Sequence, residues 1–266
     1  MPFTFSHPAA ILPAKFFPER WISLTALVIG SITPDFEYFI RMKNYGIYGH
    51  TWGGIFWFDL PLGFLLTFVY HRFVRDGLID NLPRFLRNRL YKFKGLDWTA
   101  YVRKHFLQVI ICLLIGIATH VVWDGFTHRA GYFVQMIPWL DMNSEVFGVN
   151  HARFYILQNI SSLLGMGLVV IAVLRIPKGA DAGKRKIIKY WLVACAIAAL
   201  ITVIRTVGWF HHNDLEEIFV VHIFSGIPDV SIPEDVIMTA ISASIIGLIV
   251  TPLIVRTKEI KATLPS

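Results

Sequence analysis

The chain of 266 residues is 55% hydrophobic with a mean hydropathy of +0.56, too apolar for an ordinary soluble domain, and its apolar residues come in blocks. A formal charge of +7 and a pI near 9.5 would suggest nucleic acid in a soluble protein. Here Lys and Arg gather in particular loops, as membrane topology requires, so nucleic acid is excluded as a partner and the lipid bilayer replaces it. One integral membrane domain covering residues 1–266 is expected, an all-α polytopic helix bundle of about six transmembrane helices plus a short N-terminal interfacial or re-entrant helix.

Residues 3–17 are apolar but carry Pro8 and Pro13, with Pro18 following, and are too short and broken for a standard span. They form the interfacial or re-entrant segment, with Ser6 and His7 near its start. Pro2 to Leu12 lacks any Lys or Arg, so no cleaved signal peptide is expected. The first span is placed at 21–40, and its last third holds Pro34-Asp35-Phe36-Glu37, two carboxylates where the helix leaves the hydrocarbon. A short loop carries Gly49 and His50. The second span, 52–74, contains Asp59 before Pro61, an acid that needs a partner at that depth.

Residues 75–104 form a strongly basic cytoplasmic connector that reads as a surface helix. The third span, 106–123, runs into His120, Asp124 and His128, three ligand-type residues spaced four apart. Positions i and i+4 of a helix share a face about 6 Å apart along the axis, so His120 and Asp124 reach one ion, and His128 extends the stripe if the helix survives Gly125. A longer aromatic loop with Pro138 and His151 follows. Spans four to six are expected at 155–174, 190–210 (with Arg205 inside) and 236–255. Cys112 and Cys195 lie in apolar runs as inert thiols, without a CxxC site or a disulfide framework.

Loop charge orients this set. Nine Lys and Arg fall in 72–104, six in 175–189, three in the tail and two at Lys15 and Arg20, against four in the opposite loops. The positive-inside rule therefore puts the C-terminus in the cytoplasm of a bacterial inner membrane. Asp35, Glu37, His50, Asp124, His128, His151, His211, His212 and His222 then collect towards the outer face. His7 falls on the wrong side of a simple span count unless 3–18 dips into the membrane and returns.

Imidazoles and carboxylates without thiolates are the ligands of catalytic zinc, manganese or iron sites, not of structural Cys-zinc sites. Such an ion lowers the pKa of bound water and polarises a scissile phosphoryl or carbonyl oxygen. No nucleophilic Ser or Cys motif and no Gly-rich phosphate loop rises above background, which excludes covalent catalysis and nucleotide use.

The set Met-Pro-Phe-Thr-Phe-Ser-His-Pro-Ala-Ala at 1–10, Gly30-Ser31-Ile32-Thr33-Pro34-Asp35-Phe36-Glu37-Tyr38, His50-Thr51, Phe58-Asp59-Leu60-Pro61 and Thr119-His120-Val121-Val122-Trp123-Asp124 resembles an uncharacterised family of bacterial multi-pass membrane proteins. More distantly, the order of an early His, a Pro-Asp acid pair, a His-Thr loop and an HxxxD helix end is similar to the inner-membrane metal-dependent hydrolases of the LexA-regulated type. That resemblance implies metal ligands at His7, Asp35, His50, His120 and Asp124. The chain departs from it where His50-Thr51-Trp52 has one histidine for the relatives' two, and where Glu37 replaces an Asp, so one or two ions are allowed.

The expected function is a metal-dependent hydrolase, zinc first among the divalent ions, with Glu37 or His128 moving the proton and a lipid-linked or phosphoester substrate suggested by the depth of the site. Two other classes use the same residues: a transport protein holding an ion in transit, and a non-catalytic scaffold whose polar residues lock helices together.

Overall fold

The computed structural model describes residues 4–179, 187–212 and 231–255. A run of 3-10 geometry, Thr4–Phe16, opens the chain. The α-helices follow in order: α1 (Leu24–Ile32), α2 (Phe36–Arg41), α3 (Leu60–Val69), α4 (Arg75–Asn81), α5 (Arg84–Leu90), α6 (Trp98–Thr127), α7 (Tyr132–Met136), α8 (Pro138–Asp141), α9 (Arg153–Arg175), α10 (Ile188–His212) and α11 (Ser231–Ile254). A single hairpin, β1 (Asn143–Val146) with β2 (Val149–Ala152), interrupts the helices. The fold is the all-α membrane bundle expected.

The number of spans is corrected. Among the described residues four helices, not six, are long and apolar enough to cross a membrane: Trp98–Thr127, Arg153–Arg175, Ile188–Gly208 and Glu234–Ile254. Expected span one breaks at its Thr-Pro-Asp step, where α1 stops after nine residues and Thr33–Asp35 tightens into a 3-10 turn. Expected span two is interrupted by π geometry at Ile55–Asp59 and Tyr70–Val74, where Leu60 N–H donates to the Ile55 carbonyl and Arg75 N–H to that of Tyr70. Pro61, which has no N–H for an α ladder, follows the first of these directly. The last three spans fall within two residues of their expected places, and the third extends beyond its expected 106–123 at both ends. In α6 the backbone leaves helical values at His105 (φ −126°, ψ 33°), so connector and span join in one kinked helix.

The chain divides into two units. The first comprises 1–36, 47–68 and 96–178. Its core is α1 crossing α6, with Ala26, Val109, Leu113 and Ile117 fully buried. Glycine makes the crossing possible: a Cβ on Gly30 would strike the Leu113 carbonyl, and one on Gly116 would strike that of Leu27. Asp97 caps α6, accepting from Ala100 N–H at 3.0 Å, and Trp98 Nε1 donates to Thr67 Oγ1 at 2.9 Å. The loop expected between 124 and 154 is built from α7, α8 and the hairpin. Phe147 and Gly148 turn the hairpin with φ of 51° and 80°, the left-handed pair a two-residue turn needs. The outer side chains of α9 face away from protein; Leu163 is 76% exposed.

The second unit comprises 37–46, 69–95 and 179–266. There α10 packs on α11, Trp191 Nε1 donates to the Asn81 carbonyl at 2.7 Å, and Asp235 accepts from the Asn44 N–H at 2.8 Å. The basic connector supplies tight ion pairs, Arg75 with Asp76 and Lys94 with Asp80, each at 2.5 Å. His222 and the acidic run 214–217 lie outside the described residues, as do the side chains of His211 and His212.

Candidate metal centre

The site is assembled from four pieces of the first unit. The last turns of α6 present His120 and Asp124 on one face, as their spacing predicts. The α1–α6 crossing brings the end of α1 against them, and His120 Nδ1 donates to the Ser31 carbonyl at 2.8 Å. That bond fixes the tautomer and leaves the Nε2 lone pair facing the cluster. The 3-10 turn after α1 delivers Asp35, 1% exposed. Thr4 Oγ1 donates to Asp35 Oδ2 at 2.5 Å, which leaves Oδ1 for the cluster. His50 arrives on the 42–54 loop, where a Cβ on Gly49 would collide with the Pro34 carbonyl; that close approach sets His50 beside Asp35.

One donor atom from each of Asp35, His50, His120 and Asp124 lies within 4.8 Å of all the others. His50 Nε2 is 3.2 Å from His120 Nε2, 3.1 Å from Asp124 Oδ2 and 3.4 Å from Asp35 Oδ1. His120 Nε2 is 3.3 Å from Asp124 Oδ2 and 3.5 Å from Asp35 Oδ1. Ligands about 2.1 Å from a tetrahedral zinc ion stand about 3.4 Å from one another, so five of the six separations match the edges of such a tetrahedron, and the sixth, Asp35 to Asp124, is within 4.8 Å. Four lone-pair donors converging on one point repel unless a cation or protons lie among them, and their buried position makes this costly. The donor set fits a divalent ion.

His7 joins them. The 3-10 run carries it into the core, where it is fully buried and stacks on the His120 ring with centroids 3.7 Å apart. Trp123 meets its edge at 5.6 Å. Neither ring nitrogen makes a hydrogen bond, and Nε2 stands 3.5 Å from Asp124 Oδ1, which also lacks a hydrogen bond. Burial, aided by His120, pushes the His7 imidazole down to about 3, so the ring is neutral and its lone pair available. The prolines that break the segment as a span allow this geometry. Burial opposes a proton on His50, yet the hydrogen bonds to Asp124 and Asp35 outweigh it and raise its pKa to about 9.

His128 caps α6, a third exposed, with Nδ1 3.6 Å from Asp124 Oδ2 and 3.2 Å from the Asp124 carbonyl. Glu37 is not brought into this group; it belongs to the second unit, where Arg41 donates to its Oε1 at 2.9 Å. Asp59, fully buried, lies next to Gly49, whose added Cβ would be 3.4 Å from Asp59 Oδ1. Residue types alone did not reveal Thr4 and Ser31 as the groups that orient Asp35 and His120, because one acts through a hydroxyl and the other through a backbone carbonyl.

The family described as a domain of unknown function (DUF4184) matches residues 1–253. The chain belongs to DUF4184. All five clustered residues fall inside the match, which agrees with the resemblance to an uncharacterised membrane family. No curated protein and no solved structure matches the chain.

Proposed function

We propose that this protein is a membrane-embedded metal-dependent hydrolase that activates water at the outer face of a bacterial cytoplasmic membrane and acts on lipid-linked phosphoesters. The observation that carries it is the convergence of four oriented donors at tetrahedral spacing, with two of them locked by Thr4 and Ser31. Asp35, His50, His120 and Asp124 hold the ion, zinc first, with manganese or iron also suited to the N/O donors. When bound, it lowers the pKa of water and polarises a phosphoryl oxygen. His7 and Asp124 Oδ1 are two further donors on the other side of the same carboxylate, which supports a second ion.

His128 is the group placed to move a proton. It is the partly exposed imidazole outside the four donors and leans on Asp124, so it takes a proton from attacking water and returns it to the leaving alcohol oxygen. Glu37, the other candidate from the sequence, is engaged with Arg41. The excess of Lys and Arg in the connector supports a cytoplasmic connector and a cluster on the outer side.

Elemental analysis of detergent-purified protein, for the parent and for His120→Ala with Asp124→Ala, tests the reading. Near-stoichiometric metal that vanishes in the double variant, together with phosphate release from lipid phosphoesters by the parent, is the expected result. A parent that binds no metal after reconstitution overturns it and leaves a helix-locking role.

A further inference from the structure

Two apolar cavities of the first unit run end to end along α6. One, about 330 Å³, lies between the 3-10 run and α6, with Ile11, Phe17, Cys112 and Ile115 in its wall. The other, about 390 Å³, continues between α6 and α9, walled by Trp123, Phe126, Thr127 and Leu157. Ala10 and Thr119 line both, so they form one groove. Each volume is within the ~300–1,000 Å³ of ligand sites.

The hydroxyl protons of the wall are already donated. Thr119 Oγ1 donates to the Gly116 carbonyl at 2.7 Å and Thr127 Oγ1 to that of Trp123 at 3.3 Å. Ser161 Oγ donates to the Gln158 carbonyl and accepts from Trp123 Nε1, both at 3.2 Å. A polar occupant would find few free donors there, and a hydrocarbon needs none.

Length and position name the occupant. From Ile111 to Thr127 the groove follows α6 for about 24 Å at 1.5 Å per residue, more than the ~15 Å depth of one hydrocarbon leaflet. Its upper end reaches the cluster: Thr127 Oγ1 is 3.4 Å from His128 Nδ1, whose ring touches Asp124. The geometry points to a binding groove for one hydrocarbon chain of a phosphate-bearing lipid, which delivers the head group past Thr127 to His128 and the donors beyond it. This rests on the metal-centre reading and adds to it that the substrate is held by its tail.

Native mass spectrometry of the detergent-purified full chain, with palmitoyl lysophosphatidic acid as probe and bound metal measured on the same samples, tests the groove. The parent is expected to retain one lipid, and Ala10→Phe and Thr119→Phe to retain at least tenfold less with metal content unchanged. Thr119→Val, which keeps the volume, is expected to retain it, as is Leu163→Phe on the outward side of α9. Equal retention by the parent and both groove-filled variants overturns the proposal, as does loss of a dimer in those variants, which would give the groove to a second copy. Groove-dependent lipid in a protein without metal supports the groove and removes the metal reading; metal without groove-dependent lipid does the reverse.

Discussion

Two collections of charge in this protein are built on opposite terms. In the second unit two carboxylates face permanent cations: Asp76 takes Arg75 and Asp80 takes Lys94, both at 2.5 Å. In the first, Asp35 and Asp124 face imidazoles whose nitrogens are themselves acceptors once neutral, and His7 makes no hydrogen bond at all. The first arrangement is electrostatically closed and holds helices together. The second rests on imidazoles that can give up their protons, and a donor set of that kind suits a metal ion.

The comparison breaks most decisively at the donors. His120→Ala with Asp124→Ala is expected to lower bound metal to under a tenth of the parent by elemental analysis, whereas Asp76→Asn leaves it unchanged. Chelation comes next. Saturating zinc at about a hundredfold its Kd stabilises the folded chain by about 2.7 kcal/mol, so stripping the ion should lower the thermal midpoint equally in the parent and in Asp76→Asn. An unchanged midpoint after complete stripping would show that the first cluster is as closed as the second.

Orientation of the donors has a smaller effect. Thr4→Val removes the hydroxyl that turns Asp35 inward and should weaken zinc about 10–100-fold in a dye competition, without loss of helix signal in circular dichroism. The smallest effect belongs to the closed cluster. Burial alone would raise the Asp76 carboxyl, but the hydrogen bond and charge of Arg75 hold it below its ordinary value. A folded pKa below the unfolded one gives stability that is present above the unfolded value, near 3.8, and lost as pH falls through the folded one. Because the Asp76 side chain is 45% exposed, water screens the pair. Asp76→Asn should therefore cost about 0.5 kcal/mol at neutral pH and nothing in strong acid, read from denaturant midpoints.

Much of this was legible beforehand, for identifiable reasons. His120 and Asp124 follow from helical spacing, and the last three spans from length and apolarity, properties local to a segment. The first two expected spans failed because apolarity does not register backbone geometry: Pro34 and Pro61 mark the breaks, yet a hydropathy window averages over them. His7 could not be placed by counting spans, since a 3-10 run with two prolines buries it in the protein core without being a span. The partners of the donors were hidden for another reason. A backbone carbonyl such as that of Ser31 has no residue type, and the role of Thr4 depends on a contact 31 residues away. The hairpin turn at Phe147-Gly148 lacks the Asn-Gly or Asp-Gly pair that announces such turns.

The donors come from places far apart in the chain: His50 meets His120 across 70 residues and Asp124 across 74, and His120 reaches Ser31 across 89. During synthesis His7, Asp35 and His50 are all made before α6 exists, so the site cannot be filled while the early segments enter the bilayer. An ion taken up at this cluster would be a late arrival that seals a finished helix crossing, and under the proposed reading cells starved of it should accumulate inserted, folded chains awaiting metal rather than chains stalled in insertion.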